Sequence, residues 1–282
     1  MAYSLDDTTE MTDDGAGGFT LSGPKSYWNF IGAFGGWTAA LAVKAVIAHP
    51  EARGDLVSVT GIFAGAVGEA PISVRPRLQR RHGRADFWRV TISDPAAEGR
   101  DAPETAESDP GLLFSADIVM STPRASEIGY EAPLVASTPL EEVTPPEDLK
   151  AMPTNIGPKW LSRYDQRFAE GTPFTRNEHP RSLVWLRETE GRPLDAIGLA
   201  AISDSFMPRT FFLDDKMHVT STVSYGMHVL ADAETLLRAG EDFLLMEGSS
   251  SGVRNGASDQ RGVIRDRAGT VLAVTNQIAF FK

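Results

Sequence analysis

Two segments of this chain have the pattern of helices that are too apolar to lie on a protein surface, and they limit the possible folds more than any other feature. The first runs from Ala33 to Pro50, where the proline ends it. Lys44 falls on the face opposite a stripe of mostly small residues, which would let the helix lie close against a sheet. The stripe has i, i+3, i+4, i+7, i+11 spacing and consists of Gly36, Ala39, Ala40, Val43 and Ile47.

The second segment, Asp195–Met207, is a shorter apolar helix that carries a carboxylate. Asp195 is suited to the N-cap position, and Pro208 stops the helix. With about 100° between successive residues, Asp204 falls about 20° from Ile197 and therefore on an apolar face. A buried carboxylate costs free energy unless another group pairs with it or a reaction uses it. The structural alternatives, a solvated last turn or a carboxylate satisfied by backbone donors, both stay open.

Strand patterns follow each helix, and the second half of the chain repeats the order of the first. An apolar helix that must be buried, followed by a run of antiparallel strands, predicts a sheet wrapped around each helix. A single β-sandwich with two accessory helices is the competing fold, and the apolar helices disfavour it. The predicted strands are Leu56–Ala66, Ile72–Gln79, Ala85–Ser93, Leu112–Ser121, Trp160–Phe168, Arg181–Arg187, Met217–Leu230, Phe243–Gly248, Gln260–Arg265 and Val271–Phe281.

Changes in composition divide the chain into four parts. Residues 1–18 are acidic and poor in apolar groups, which predicts a disordered tail. Residues 19–122 and 159–282 are the two helix-and-strand units. Residues 123–158 contain seven prolines and few apolar runs, so they are predicted to be a linker.

Charge and residue content exclude several classes of function. A formal net charge of −11 opposes nucleic-acid binding, because the overall field repels phosphate chains. The chain has no cysteine, and its five histidines are scattered, so we expect no disulfide, no cysteine nucleophile and no metal site. No apolar run approaches about 18 residues, so we expect a soluble, cytoplasmic protein that does not insert into membranes.

The segment Gly248–Gly252 matches G-x-S-x-G, the nucleophile elbow of serine hydrolases. That motif requires a strand-to-helix turn and a histidine later in the chain. The last histidine is His228, which precedes Ser250, so we reject the serine-hydrolase interpretation.

Two other patterns could bind a ligand. The arginine-rich segment 73–84 places Arg75 and Arg77 on one strand face, where they could contact phosphates, although an exposed strand face is the commoner outcome. Gly35 and Gly36 open the first helix, and their backbone N–H groups could donate to an oxyanion. Glycine could equally serve tight helix–sheet packing there.

The chain resembles the acyl-CoA thioesterase II family, whose members have a double-hotdog fold. Phe34-Gly35-Gly36 before a small-residue helix is similar to the family's first helix, and Ala201–Pro208 resembles the segment that carries its catalytic Asp. Ser221-Thr222-Val and Val274-Thr-Asn-Gln277 match the strand positions of its catalytic Thr and Gln. The resemblance covers roughly residues 19–122 and 160–282.

This resemblance implies an α+β double hotdog and hydrolysis of an acyl-CoA thioester in lipid metabolism. The reaction would proceed by direct attack of water and would need no metal or redox cofactor. Asp204 would activate a water, Thr222 and Gln277 would hold that water, and Gly35–Gly36 would polarise the carbonyl. Arg75 and Arg77 would be candidate contacts for the CoA phosphates. The first helix has no carboxylate, so we expect one active site per chain. The family's habit implies a homodimer or a higher homo-oligomer.

The sequence also departs from the family and leaves rival functions open. After the Thr, the family commonly has an Asp-His pair and a further aromatic–His, where this chain has Ser224, Tyr225, Met227 and His228. One rival is a non-catalytic protein that binds acyl-CoA or another acyl ligand. A second is a hotdog enoyl-CoA hydratase, which Arg209 disfavours because that enzyme would need a His five residues after the Asp.

Overall fold

In the computed structural model, which describes residues 3–97, 109, 111–134, 138–143 and 157–282, thirteen strands form one sheet around a core that contains two buried helices. The predicted sheets of the two halves join edge to edge, so the double hotdog has a single continuous sheet. The α-helices of the described chain are α1 (Ser4–Thr8), α2 (Gly35–Ala48), α3 (Ala196–Ile202) and α4 (Ala233–Ala239).

The strands of the first half form one end of the sheet, and those of the second half form the other end. Those of the first half are β1 (Thr12–Asp13), β2 (Phe19–Ser22), β3 (Asp55–Phe63), β4 (Pro71–His82), β5 (Ala85–Ser93) and β6 (Leu112–Ser121). Those of the second half are β7 (Tyr164–Glu170), β8 (Ser182–Glu188), β9 (Thr220–Val229), β10 (Leu244–Ser249), β11 (Val253–Arg254), β12 (Ala257–Arg265) and β13 (Val271–Phe281). The order is β1-β2-β4-β5-β6-β3-β9-β13-β12-β10-β8-β7, and β11 pairs with β12.

The strand order shows that the second half repeats the topology of the first. In the first half the order is β2-β4-β5-β6-β3, and in the second it is β8-β10-β12-β13-β9. The halves meet where β3 pairs antiparallel with β9, with Thr60 opposite Gly226. Each joining strand also has a β-bulge, at Val57 in β3 and at Val223 in β9. A pseudo-twofold axis therefore passes between Thr60 and Gly226 and relates equivalent positions of the two halves.

The two apolar helices lie in the core, as their composition predicts. Most residues of α2 and α3 are buried, and both helices belong to the same apolar cluster. They approach closely because α2 begins with glycine: a Cβ atom on Gly36 would lie 2.1 Å from the backbone oxygen of Ala201. Ile47, expected on the buried stripe, is instead 43% exposed at the end of α2. The second helix ends at Ile202 rather than Met207, so Asp204 lies in the turn that follows.

The N-terminal tail, predicted to be disordered, is structured from residue 3 onwards. Leu5 is buried in the core, and the Trp37 indole N–H donates to the Thr8 hydroxyl at 3.1 Å. The Arg192 guanidinium bonds both the Asp6 carboxylate and Asp195, the N-cap of α3. The prediction from composition is wrong because one buried leucine and one shared arginine fix the segment on both halves.

Residues 138–143 of the proline-rich linker pack against the outer face of the second half. Leu140 and Val143 join an apolar cluster with Leu183, Trp185 and Leu245. These three strand residues point away from the helices, so β8 and β10 are covered on both faces. Double burial explains why β8 reads as a continuous apolar run rather than an alternating one. Residues 135–137 and 144–156 lie outside the described chain, and the domain boundaries at 122 and 159 stay predictions.

Candidate active site

Asp204 lies at the meeting point of the two halves, in the turn after α3. Its Oδ1 accepts a hydrogen bond from the Gln277 side-chain amide at 2.8 Å. Burial raises the pKa of the Asp204 carboxyl from 3.8 to about 7, while the Gln277 amide and the Gly36 backbone amide act in the opposite direction. The residue keeps some exposed surface. The carboxyl is therefore poised to change charge near neutral pH while remaining within reach of a small molecule.

Gln277 and Thr222 extend a chain of hydrogen bonds from Asp204 into the sheet. The Thr222 hydroxyl donates to Gln277 Oε1 at 3.3 Å. A carboxylate only accepts, so the Gln277 NH₂ must face Asp204 and its oxygen must face Thr222. The two outer groups thus fix the orientation of the central amide.

A β-bulge in β9 places Thr222 on the inner face of the sheet. Tyr225 lies opposite Gln277, and Thr222 lies opposite Ala279, so Val223 is the extra residue of β9. In a regular strand, Tyr225 and Thr222 would point to opposite faces because they are three residues apart. The bulge changes this alternation, and both side chains face the helices together with Gln277.

The start of α2 leaves room for the Asp204 carboxylate only because position 35 is glycine. A Cβ atom there would lie 2.5 Å from Asp204 Oδ2 and 3.1 Å from the Phe63 ring. Phe63 also contacts Phe114, with ring centroids 4.8 Å apart. The carboxylate therefore lies between the first turn of one helix and the end of the other, beside an aromatic wall from the first half.

The equivalent positions of the first half carry no such polar groups. Counting from the two bulges, Leu56 corresponds to Thr222, and Ile118 corresponds to Gln277. Leu56 and Ile118 are both buried in the apolar core. Their side chains cannot donate or accept hydrogen bonds, so the pseudo-twofold axis does not generate a second copy of the polar cluster.

Comparison with known proteins identifies the family of the chain. The sequence profile of the acyl-CoA thioesterase C-terminal domain matches residues 141–281, and that of the N-terminal domain matches residues 24–106. The chain belongs to the acyl-CoA thioesterase family. The family that the sequence resemblance implied is thereby confirmed.

Solved structures confirm the double-hotdog fold of this family member. A hot dog fold protein of unknown function from Alicyclobacillus acidocaldarius has a TM-score of 0.88 and 27% identity, covering 100% of this chain and 99% of that chain. A candidate thioesterase II from Thermobifida fusca YX has a TM-score of 0.79 and 17% identity, covering 99% and 97%. The acyl-CoA thioesterase II TesB2 from Mycobacterium marinum has a TM-score of 0.72 and 16% identity, covering 99% and 98%. No curated protein matches the chain.

Arg75 and Arg77 lie apart from the Asp204 cluster. Both are exposed on the outer face of β4, and Arg75 forms an ion pair with Asp14 at 3.0 Å. Three strands separate β4 from β9, which corresponds to about 19 Å across the sheet. The structure therefore does not bring these arginines to the carboxylate, and contact with the CoA phosphates stays a prediction.

Arg209 and the G-x-S-x-G segment also lie outside the cluster. Arg209 is buried, and its guanidinium donates to Gln260, Ser182 and the backbone of Met207 rather than to Asp204. Ser250 follows β10 and donates to Asp259 at 2.8 Å in a turn that leads to β11 rather than to a helix. Among the residues that the structure describes, no group of three or more His, Asp or Glu side chains is placed to hold a metal ion. No helix there is long and apolar enough to cross a membrane.

The sequence did not predict two further residues of the site region, Tyr225 and Phe63. Tyr225 attracts attention in the sequence only as a departure from the family pattern, and Phe63 has no distinguishing signal. Both side chains face the site because of their position on β9 and β3. Tyr225 and Phe63 contact edge to face, with ring centroids 6.3 Å apart.

Proposed function

We propose that this protein hydrolyses an acyl-CoA thioester with a water molecule that Asp204 activates. The observation that supports this most directly is the carboxyl itself: it is largely buried, bonded to Gln277 and has a pKa raised to about 7. A general base works best when its pKa lies near the working pH, because it is then both deprotonated and strong enough to take a proton. Membership of the acyl-CoA thioesterase family supports the substrate class.

In the proposed reaction, the Asp204 carboxylate takes a proton from water while the water oxygen attacks the thioester carbonyl. Gln277 and Thr222 hold the attacking water by hydrogen bonds, and their own bond fixes the directions in which they can accept or donate. The carbonyl oxygen becomes negatively charged. The intermediate then collapses: the carbon–sulfur bond breaks, the proton on Asp204 passes to the leaving sulfur, and a carboxylic acid and free CoA thiol remain.

The first turn of α2 is the proposed site of oxyanion stabilisation. The first N–H groups of a helix have no partner within the helix, and the helix dipole makes this end positive. The Gly36 backbone N–H donates to the Asp204 carboxylate and lowers its pKa. We therefore assign the oxyanion to the neighbouring Gly35 N–H. Donors aimed at the developing charge typically contribute about 3–4 kcal/mol to the activation free energy.

The test is release of free thiol from a series of saturated acyl-CoAs, from acetyl-CoA to palmitoyl-CoA. The parent protein should release thiol from at least one of them, and Asp204→Asn should lower its rate by at least about 100-fold, within the usual range for loss of a general base. Asp117→Asn is the matched control, because it makes the same change on the outer face of β6, where Asp117 pairs with Arg89. Full activity of Asp204→Asn would show that this carboxylate does not activate the water.

Two further measurements, binding of acyl-CoA and turnover of an enoyl-CoA, separate the proposed hydrolase from the two rivals. A non-catalytic acyl-ligand binding protein would bind acyl-CoA without releasing thiol from any member of the series. A hotdog hydratase would hydrate an enoyl-CoA and leave the thioester intact. The geometry gives the hydratase little support, because Arg209, at the position where its His would be needed, bonds away from Asp204.

A further inference from the structure

A buried hydrogen bond joins the turn that carries Asp204 to the strand that carries Thr222. The Ser203 hydroxyl and the Tyr225 hydroxyl lie 2.5 Å apart, and both residues are buried. Ser203 is the C-cap of α3 and immediately precedes Asp204. Tyr225 lies in β9, directly opposite Gln277 on β13. The bond therefore joins the Asp204 turn to β9, the strand that pairs with β13 and its Gln277.

The direction of this bond follows from the inventory of donors. The Ser203 hydroxyl lies 2.7 Å from the backbone oxygen of Ala200, which can only accept, so the serine proton is used there. Tyr225 must then donate to Ser203. The result is a chain from the tyrosine hydroxyl through the serine hydroxyl to the last turn of α3, and it fixes the rotamer of both side chains.

The Ser203–Tyr225 hydrogen bond links the turn after α3 directly to β9. Asp204 bonds Gln277 on β13, but that contact is the one that must be positioned. Tyr225 also packs edge to face against Phe63, whose ring lies beside Gly35. The tyrosine thus touches both sides of the space that holds the carboxylate. Its pKa is raised by burial and further by the nearby Asp204 charge, so its hydroxyl stays protonated and able to donate.

The geometry points to Tyr225 and Ser203 as positioning residues that hold the Asp204 turn against β9 and thereby set the reach from the carboxylate to Gln277 and Thr222. This inference rests on the proposed function of Asp204. Neither side chain has to touch the substrate.

The test compares steady-state kinetics of Tyr225→Phe, Ser203→Ala and the double variant with the parent, on the acyl-CoA that the parent hydrolyses fastest. A misplacement of about 1 Å can cost up to about 100-fold in rate, so we expect each single variant to lose roughly 10- to 100-fold in kcat. KM should stay within about twofold, because substrate contacts are unchanged. The double variant should be no slower than the worse single variant, since both remove the same bond.

A matched control separates positioning from general loss of stability. Tyr27 is another fully buried tyrosine, and its hydroxyl has no hydrogen-bond partner among the residues that the structure describes. Tyr27→Phe should keep the parent's kcat. In an Asp204→Asn background, Tyr225→Phe should change the residual rate little while changing Tm as much as it does in the parent. The pH at which kcat is half-maximal should fall in Tyr225→Phe, because a loosened turn lets water reach the carboxyl.

The outcomes distinguish failure of this inference from failure of the proposed function. If Asp204→Asn is inactive but Tyr225→Phe keeps the parent's kcat and pH profile, the positioning role is overturned and the water-activating role stands. Additive rate losses in the double variant would also overturn it. If Asp204→Asn hydrolyses acyl-CoA as fast as the parent, the proposed function itself fails.

Discussion

Replacing the buried carboxyl of Asp204 by an amide should make the protein more stable at alkaline pH. The folded pKa of this group is about 7, whereas the ordinary value is 3.8, a difference of roughly three pH units. At about 1.4 kcal/mol per pH unit, keeping the charged carboxylate in the fold costs up to about 4 kcal/mol. The residue retains some exposed surface, which reduces the cost, so we expect about 2–4 kcal/mol.

The sign of the pH dependence follows from proton binding. Between about pH 4 and pH 7 the folded protein holds a proton on Asp204 that the unfolded chain has released, so the contribution of this group to stability falls as pH rises through that window. Above pH 7 the full cost is present. Asp204→Asn has no such titration, and its amide oxygen can still accept from Gln277.

The assay is urea unfolding of the parent and Asp204→Asn at pH 5 and at pH 8. The free energy of unfolding of the variant should exceed that of the parent by about 2–4 kcal/mol at pH 8 and by clearly less at pH 5. An equal difference at both pH values would refute the reasoning, because it would mean that the carboxyl does not titrate between them. A variant less stable than the parent at pH 8 would refute it as well.

Three other predictions concern the pH dependence of the rate, the two glycines that open α2, and the N-terminal tail. The kcat of thioester hydrolysis should rise with pH and reach half its maximum near pH 7, because only the deprotonated Asp204 can take a proton; a rate independent of pH from 5 to 8 would contradict a base with this pKa. Gly35→Ala should lower kcat by roughly 100-fold with little change in Tm, because its Cβ would displace Oδ2 of Asp204. Gly36→Ala should chiefly lower Tm, because its Cβ would collide with the backbone oxygen of Ala201. Deletion of residues 1–18 should lower the free energy of unfolding by at least about 2 kcal/mol, because burial of Leu5 alone contributes that order, and an unchanged urea midpoint would show that the tail does not stabilise the fold.

The sequence determined the parts of this protein that depend on local pattern. Two helices without a polar face had to be buried, and the same order of elements in both halves predicted the repeated topology. The predicted bounds of β5, β6 and β13 agree with the structure, because alternating or β-branched runs between turn residues define strands locally. Asp204 stood out because a carboxylate on an apolar helix demands an explanation. Its chemical role, like those of Thr222 and Gln277, stays a proposal.

Only the tertiary structure decided which side chains meet. Thr222 and Tyr225 share a face because Val223 is the extra residue of a bulge, and a bulge depends on the partner strand rather than on the strand's own sequence. The N-terminal tail is ordered because Leu5 and Asp6 find partners far along the chain. Composition cannot predict such contacts, since each is made between residues that are distant in sequence. The space for the Asp204 carboxylate beside Gly35 was decided in the same way, by two helices that meet only in the folded protein.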